Sequence, residues 1–150
     1  MDLELTEEQR MLSESVRAFV SRELLPHESD VEKQGEVPAE LGQQITQKAL
    51  EVGLYAANLP ESVGGGGLDC ASLAILEREL GKVSHALQGF AWRPTELLMA
   101  CEGEQVERYL QPCVKAEKTE CFAITEPGAG SDIMSMATRA ERVGDDWVIN

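Results

Sequence analysis

The stretch of sequence that decides the fold is Cys121-Phe-Ala-Ile-Thr-Glu-Pro-Gly-Ala-Gly-Ser-Asp132. Its first half is apolar and rich in residues that favour strands, and its second half is a turn sequence that ends in small hydroxyl and carboxylate side chains. Pro127 biases Glu126 toward an extended backbone, while Gly128 and Gly130 can adopt positive φ. The stretch therefore predicts a strand that runs into a polar, glycine-lined loop.

The same loop is a candidate binding site. Thr125 at the strand end and Ser131 after the second glycine offer hydroxyls that flank exposed backbone N–H groups, an arrangement suited to a flat or phosphate-bearing ligand. The alternative is a turn that only reverses the chain. The glycines lack the Gly-x-Gly-x-x-Gly spacing and no helix pattern follows them, so a dinucleotide-binding Rossmann fingerprint is disfavoured.

Upstream of this loop the sequence is helical. Thr6-Glu-Glu-Gln9 is a capping box, and apolar residues then recur at helical spacing until Pro26, which predicts a first amphipathic helix. The charged residues 27–37 are predicted to be irregular. Pro38 suits the first turn of a second helix that ends at Gly53.

The clearest helical pattern follows the four glycines at residues 64–67, which alone indicate only a loop. Asp69 is a plausible N-cap, and apolar residues then recur every three or four positions to Leu87, which predicts one long helix of about five turns. Pro94 opens or kinks a further helix at residues 97–101. A short helix at residues 104–110 is predicted to end before Pro112.

After Lys118 the pattern changes to that of strands. Residues 119–125 and 137–143 are predicted strands, and Gly144-Asp-Asp146 is a predicted turn into a third strand at residues 147–149. The predicted fold class is therefore mainly α. We expect a helical domain at residues 1–118 and the start of a β domain at residues 119–150.

Composition limits the possible functions. The 150 residues are 43% hydrophobic and carry a net charge of −14 with 13 basic residues, so we expect a globular chain and argue against binding to nucleic acid or to an anionic membrane. The 4 cysteines form no C-x-x-C pair and the 2 histidines lie far from them in sequence, so no metal site and no disulfide framework is predicted. The sequence has no signal peptide pattern and no apolar run of transmembrane length, and a cytoplasmic location is the default expectation.

The string Ile124-Thr-Glu-Pro-Gly-Ala-Gly-Ser-Asp132 closely resembles the flavin-side segment of the acyl-CoA dehydrogenase family. The opening Leu5-Thr-Glu-Glu-Gln9, the glycine-rich loop before a long helix and the Thr-Glu-Pro-Gly segment also follow the family's order, so the resemblance spans essentially the whole chain. It implies an N-terminal helical domain followed by the first strands of a middle β domain. In the family a C-terminal helical bundle completes the fold.

By this resemblance the protein is an FAD enzyme that desaturates a coenzyme A thioester between Cα and Cβ. In the family a glutamate removes the α proton while the β hydrogen leaves as hydride to the flavin. That glutamate lies in the C-terminal bundle, so no catalytic residue is assigned here, and the 150-residue chain is expected to be an inactive part of a longer enzyme. The resemblance also implies an acyl-CoA substrate, an electron-transfer flavoprotein as electron acceptor and a homotetramer for the full-length protein.

The resemblance assigns site residues to this chain by position. The residues that would lie against the flavin ring are Phe122, Ile124 and Thr125, while Gly130 and Ser131 would face the flavin chain and its pyrophosphate. Ser131 would also touch the coenzyme A part of the substrate. Gln88 and Trp92 fall where relatives line the acyl-chain pocket. Each of these residues has a plain alternative role in packing or in a turn.

Two other functions remain open at this point. A related flavin oxidase or monooxygenase would use the same scaffold, because the base and the oxygen path that separate these reactions lie downstream of the first 150 residues. A non-catalytic helical interaction module would equally account for the acidic composition and for the leucine stripe.

Overall fold

The computed structural model describes residues 4–91 and 94–150, and the chain divides into two compact units, residues 1–120 and 121–150. The first unit is helical and the second contains an antiparallel β-hairpin, which confirms the mainly α fold class. The predicted division into domains at residues 1–118 and 119–150 stays a prediction. In the described part of the chain, no helix is both long and apolar enough to cross a membrane.

Helices and short helical turns make up the first unit. The α-helices are α1 (Glu7–Phe19), α2 (Glu28–Gln34), α3 (Ala39–Glu51), α4 (Cys70–Leu80), α5 (His85–Ala91) and α6 (Gln111–Val114). Helix α1 continues into a π turn at Val20–Leu24 and a 3₁₀ turn at Leu25–His27. Further 3₁₀ turns lie at Glu61–Val63 and Glu96–Ala100, and a π turn at Val106–Leu110 leads into α6.

Two helix starts follow directly from the sequence. The Gln9 N–H donates to Thr6 Oγ1 at 3.2 Å and the Thr6 N–H donates to Gln9 Oε1 at 3.1 Å, which confirms the capping box. The Ser72 N–H donates to Asp69 Oδ1 at 2.7 Å, which confirms Asp69 as the N-cap of α4. Both caps satisfy N–H groups that the first turn of a helix leaves unpaired.

The core of the helical unit forms where α1 packs against α4 and α3 against α5. Close approach of α3 and α5 depends on Gly42, since a methyl group there would lie 2.3 Å from the Phe90 ring. The Thr46 hydroxyl also donates to the Phe90 carbonyl oxygen at 2.8 Å. Among the most deeply buried core residues are Val16, Leu24, Ile45, Ala49, Leu80 and Leu87.

The four-glycine loop is explained by packing against its own chain. A methyl group at Gly65 would lie 2.1 Å from the carbonyl oxygen of Leu59, and one at Gly66 would lie 2.9 Å from Ala57 Cα. Backbone hydrogen bonds join this loop to the segment before it, and one of them runs from the Gly67 N–H to the Leu59 carbonyl oxygen at 2.8 Å. The neighbouring backbone therefore excludes side chains at Gly65 and Gly66, while Gly64 and Gly67 have left-handed φ of 94° and 61°.

A buried carboxylate links α1 to α4. The Glu79 side chain is 1% exposed, and it accepts hydrogen bonds from Ser13 Oγ at 3.3 Å and from Arg17 Nε at 3.2 Å. Arg78 at 3.2 Å and Lys82 complete its ion pairs. Hydrogen bonding from Arg17 is the main reason that the pKa of Glu79 falls to about 2.

The prediction that residues 27–37 are irregular was wrong, because they contain α2. Val31 is 3% exposed and packs in the core, so one apolar residue anchors a helix that is otherwise charged. Helix α2 ends at Gly35, whose φ of 74° is the left-handed conformation common at helix C-termini. A single buried position is too weak a pattern to be read as a helix.

The prediction of one long helix from Asp69 to Leu87 was also wrong. A turn after Leu80 separates α4 from α5, and both carboxylate oxygens of Glu28 accept the Ser84 N–H at 3.0 Å where the second helix starts. The apolar stripe itself is buried across the break, since Leu80 and Leu87 both lie in the core. Periodicity therefore identified the buried face correctly but not the continuity of the helix.

Two boundaries in the last helical segment also differ from the prediction. The predicted helix at residues 97–101 is the 3₁₀ turn Glu96–Ala100, and the helix predicted to end before Pro112 continues through it into α6. A π turn at Val106–Leu110 precedes Pro112, so the hydrogen-bond pattern of the helix changes there. Proline has no N–H to donate, and it lies in the first turn of α6, where no such donor is needed.

The β-hairpin of the second unit consists of β1 (Ala140–Val143) and β2 (Asp146–Ile149), paired with Val143 opposite Asp146. The two-residue connection begins with Gly144 at a φ of 66°, as the first position of a type II′ turn requires. The predicted hairpin is confirmed with shifted ends. The strand predicted at residues 119–125 was wrong, because no described residue forms a strand ladder with this segment.

The glycine loop gives a stability prediction. We expect Gly65→Ala to lower the free energy of unfolding by about 1–3 kcal/mol, because the added methyl group overlaps the Leu59 carbonyl and the backbone must move. Gly89→Ala in α5 is the matched control, since nothing lies within 4 Å of the added group and alanine favours a helix. Denaturant unfolding followed by circular dichroism measures both, and equal stability of the two variants would contradict this explanation of the loop.

The buried carboxylate gives a prediction with a pH dependence. We expect Glu79→Gln to lower the free energy of unfolding by about 2 kcal/mol at neutral pH, because its ion pairs with Arg17, Arg78 and Lys82 are lost. The loss is no larger because the three cations are about half exposed and solvent screens the pairs. The folded-state pKa of Glu79 is about 2, below its ordinary value of 4.5, so this stabilisation is complete above pH 4.5 and is lost as the pH falls toward 2.

Thermal unfolding between pH 7 and pH 2 tests this sign. The stability difference between the wild-type protein and Glu79→Gln should shrink as the pH falls through that window. Glu32→Gln, which removes an exposed carboxylate from α2, is the control for a change of net charge. A difference that grows on acidification would contradict the proposed ionised state of Glu79.

Candidate functional site

The candidate site is the turn at residues 125–131 in the second unit. The Glu126 N–H donates to the Ala129 carbonyl oxygen at 2.9 Å, and the Ala129 N–H donates to the Glu126 oxygen at 3.1 Å. Pro127 and Gly128 occupy the two central positions between these residues. Two reciprocal hydrogen bonds close the turn, so Thr125 and Gly130 leave it from adjacent ends.

A carboxylate fastens this turn to the segment before β1. Glu126 Oε2 accepts the Ala137 N–H at 2.8 Å, and Glu126 Oε1 accepts the Thr138 N–H at 3.0 Å. Hydrogen bonding lowers the pKa of Glu126, first from the Thr138 side chain and then from the backbone N–H groups of Ala137 and Thr138. We call this arrangement of Glu126, Ala137 and Thr138 the carboxylate clamp.

The glycines of the turn are not required by the chain's own conformation or packing. Gly128 and Gly130 can adopt positive φ, but neither lies in the left-handed region here. A methyl group at either position would also meet nothing within 4 Å. The turn therefore leaves open space beside bare backbone, which the loop at Gly65 does not.

The predicted flavin residues lie in and just before this turn. Thr125, Gly130 and Ser131 are exposed, Ile124 is partly buried, and the Phe122 side chain is 65% exposed. Within these 150 residues Phe122 is not buried, and its role stays a prediction. Two hydroxyls, a bare backbone and an exposed aromatic ring form a donor set and a surface that fit a flat ligand carrying phosphates.

The predicted acyl-pocket residues lie elsewhere in sequence. Gln88 is a partly buried residue of α5 in the helical unit, where its Nε2 donates to the Val83 carbonyl oxygen at 2.8 Å. Trp92 lies outside the described residues. The assignment of both residues to a substrate pocket stays a prediction.

Comparison with known proteins decides the family. The model of the acyl-CoA dehydrogenase N-terminal domain matches residues 6–117. This chain belongs to the acyl-CoA dehydrogenase family. The match covers the helical unit almost completely, and it confirms the resemblance found in the sequence.

Individual relatives extend the match through the candidate site. A subunit of the caffeyl-CoA reductase–Etf complex of Acetobacterium woodii is 35% identical over 151 residues, covering 97% of this chain and 39% of the relative. The glutaryl-coenzyme A dehydrogenase glutaryl-CoA complex superimposes with a TM-score of 0.79 at 30% identity, covering 100% of this chain and 39% of that chain. The acyl-CoA dehydrogenase of Bacillus anthracis complexed with FAD superimposes with a TM-score of 0.76 at 27% identity, covering 98% and 26%.

The alignments cover nearly all of this chain but less than half of each relative. The chain spans about two-fifths of the length of the curated relatives it matches. This acyl-CoA dehydrogenase family chain therefore shares with them the helical unit and the candidate turn.

Sequence analysis missed the carboxylate clamp. Glu126 was considered only for its backbone, as the residue before Pro127. A signal was present, because Glu126 is the only charged residue between Glu120 and Asp132. An isolated carboxylate at the first position of a turn is a reasonable candidate to accept backbone N–H groups from a later segment.

The polar groups of the turn are hydrogen-bond donors and not a cluster of metal-binding side chains. Within the described ranges, no group of three or more histidine, cysteine or acidic side chains is placed to hold a metal ion. The hydroxyls and N–H groups of the turn are donors, which suit the oxygen atoms of an organic phosphate or a carbonyl.

Proposed function

We propose that this chain is the N-terminal part of an FAD-dependent acyl-CoA dehydrogenase, which desaturates an acyl-CoA thioester between Cα and Cβ. The observation that carries the proposal is the exposed turn in which Thr125 and Ser131 flank bare backbone at Gly130. Family membership supports the proposal, as does the relative solved with FAD. A helical interaction module has no need for such a turn.

Residues in and just before the turn each have a proposed part in holding the cofactor. Phe122 and Ile124 offer apolar surface to the flavin ring system, and the Thr125 hydroxyl donates a hydrogen bond to a ring oxygen or nitrogen. Gly130 lets the phosphate chain approach the backbone, and the Ser131 hydroxyl donates to a phosphate oxygen. When bound, FAD supplies the two-electron acceptor for the hydrogen removed from Cβ.

The substrate and the electron acceptor follow from the same proposal. Ser131, Gln88 and Trp92 are proposed to contact the acyl-CoA, and an electron-transfer flavoprotein is the proposed electron acceptor. The glutaryl-CoA complex of one relative supports the first, and the Etf complex named for another supports the second. The tetrameric state and the cytoplasmic location stay predictions, and no residue of this chain is assigned as the catalytic base.

Flavin binding tests the proposal directly. In the full encoded protein we expect Ser131→Ala to weaken FAD binding about tenfold, because a hydrogen bond to a charged phosphate is lost. Gly130→Ala should weaken it as well, since the added methyl group enters the space left for the ligand and not the protein interior. Quenching of flavin fluorescence on titration with apoprotein measures the dissociation constant.

Ser29→Ala is the matched control, since it removes an exposed hydroxyl from α2 in the helical unit. It should bind FAD as the wild-type protein does. The proposal would be overturned by a wild-type protein that binds no flavin, or by equal affinity in all three variants.

A further inference from the structure

We propose that Glu126 is the positioning residue of the flavin-binding turn: through the carboxylate clamp it sets where Thr125 and Ser131 lie. The inference rests on the proposed function, because the position of the turn matters only if the turn binds a ligand. Glu126 itself is not proposed to touch FAD or substrate.

The clamp joins parts of the chain that are distant in sequence. The two carboxylate oxygens of Glu126 each accept a different backbone N–H, from residues 11 and 12 positions further along the chain. Two bonds to one planar group fix its orientation as well as its position. A single bond would leave the turn free to rotate about that contact.

The donor side of the clamp, Ala137 and Thr138, leads directly into the hairpin. Thr138 immediately precedes Arg139, whose N–H donates to the Asn150 carbonyl oxygen at 2.9 Å and whose carbonyl oxygen accepts the Asn150 N–H at 3.0 Å. These bonds extend the ladder of β1 and β2 by one residue pair. The N–H groups that Glu126 binds are therefore attached to the most regular part of the second unit.

On the other side, the clamp is continuous with the turn. Glu126 is the first residue of the closed turn, and its backbone pairs with Ala129. Thr125 precedes it directly, and Ser131 follows Ala129 by two residues. Any movement of the Glu126 backbone therefore carries both proposed ligand hydroxyls with it.

Within residues 121–150, packing contributes little to holding this turn. Of residues 121–150, only Ile124, Glu126 and Ala129 are not exposed. The N–H groups of Ala137 and Thr138 would be solvated if the carboxylate were lost, so the cost to folding is small. Loss of Glu126 should accordingly change the position of the turn far more than the stability of the protein.

The chemistry of the clamp requires a carboxylate. An ionised carboxylate only accepts hydrogen bonds, so both of its oxygens can face N–H donors. Glutamine keeps the shape but turns an NH₂ group toward one of the two donors, which removes one bond and opposes the other. The pKa of Glu126 is lowered by hydrogen bonding, first from the Thr138 side chain and then from the two backbone N–H groups, which agrees with an ionised carboxylate.

The test compares FAD binding with stability in the full encoded protein. We expect Glu126→Gln to raise the FAD dissociation constant about tenfold, while the melting temperature of the apoprotein changes by less than about 2 °C. Hydrogen exchange of the peptide that contains Ala137 and Thr138 should be faster in this variant. Glu141→Gln in β1 is the matched control, since it removes an exposed carboxylate from the same unit outside the clamp.

A second variant removes the donor in place of the acceptor. Ala137→Pro deletes one N–H of the clamp without any change of charge, and Met136 before it already has the extended backbone that precedes proline, with φ of −57° and ψ of 132°. We expect weaker FAD binding here too. Combined with Glu126→Gln, its effect should be less than additive, because both variants break the same contact.

The outcomes separate this inference from the proposed function. If Glu126→Gln binds FAD as Glu141→Gln does while Ser131→Ala binds it weakly, the positioning role is overturned and the flavin site remains. If Glu126→Gln lowers both the melting temperature and the FAD affinity, and the affinity recovers on cooling, the role of Glu126 is structural and the inference is also overturned. If Ser131→Ala and Glu126→Gln both bind FAD normally, the proposed function fails and the inference fails with it.

Discussion

Backbone N–H groups outside regular structure need an acceptor, and in this chain carboxylates often provide it. Asp69 caps the start of α4 at Ser72, Glu28 accepts the Ser84 N–H where α5 starts, and Glu126 accepts two N–H groups before β1. Glu120 accepts the Thr95 N–H at 2.6 Å in the same way. The acidic composition, with a net charge of −14, is therefore more than an aid to solubility. Part of it starts helices and fastens loops, which makes the geometry of both units depend on carboxylate side chains.

Apart from glycines with a left-handed backbone, such as Gly35 and Gly144, the surroundings of a glycine in this chain show what it is needed for. At Gly42 and Gly65 a side chain would collide with a neighbouring ring or carbonyl, so glycine is needed for close packing within the chain. At Gly128 and Gly130 neither the backbone conformation nor a neighbour requires glycine. A residue with the entropic cost of glycine then needs another reason, and the approach of a ligand to bare backbone is one. Gly89 in α5 has the same open surroundings, so the contrast supports a ligand at the turn only together with the family membership of the chain.

Local signals predicted local features of this fold well. The capping box at Thr6, the N-cap at Asp69 and the hairpin turn at Gly144 all depend on residues within a few positions of each other, and all three were found from sequence. Features that depend on distant residues were not found. The break between α4 and α5 involves Glu28, more than 50 positions away, and apolar periodicity is the same for one long helix as for two that bury the same face. For the same reason the residues of the candidate turn could be chosen from the sequence, whereas the contact that holds the turn in place could not.

The two units differ in what holds them in shape, and this difference bears on where binding residues must be held most carefully. The helical unit buries a continuous apolar core, so the position of a residue such as Gln88 is fixed by the packing of α5. The hairpin unit has no comparable core among its described residues, and Trp147 and Ile149 are 64% and 71% exposed. Within residues 121–150, directional hydrogen bonds are the contacts that position the turn. The proposed flavin residues lie in the unit that depends on such bonds. The carboxylate of Glu126 can therefore have a large effect on ligand geometry. Its effect on stability stays small, as is usual for a residue with no part in a core.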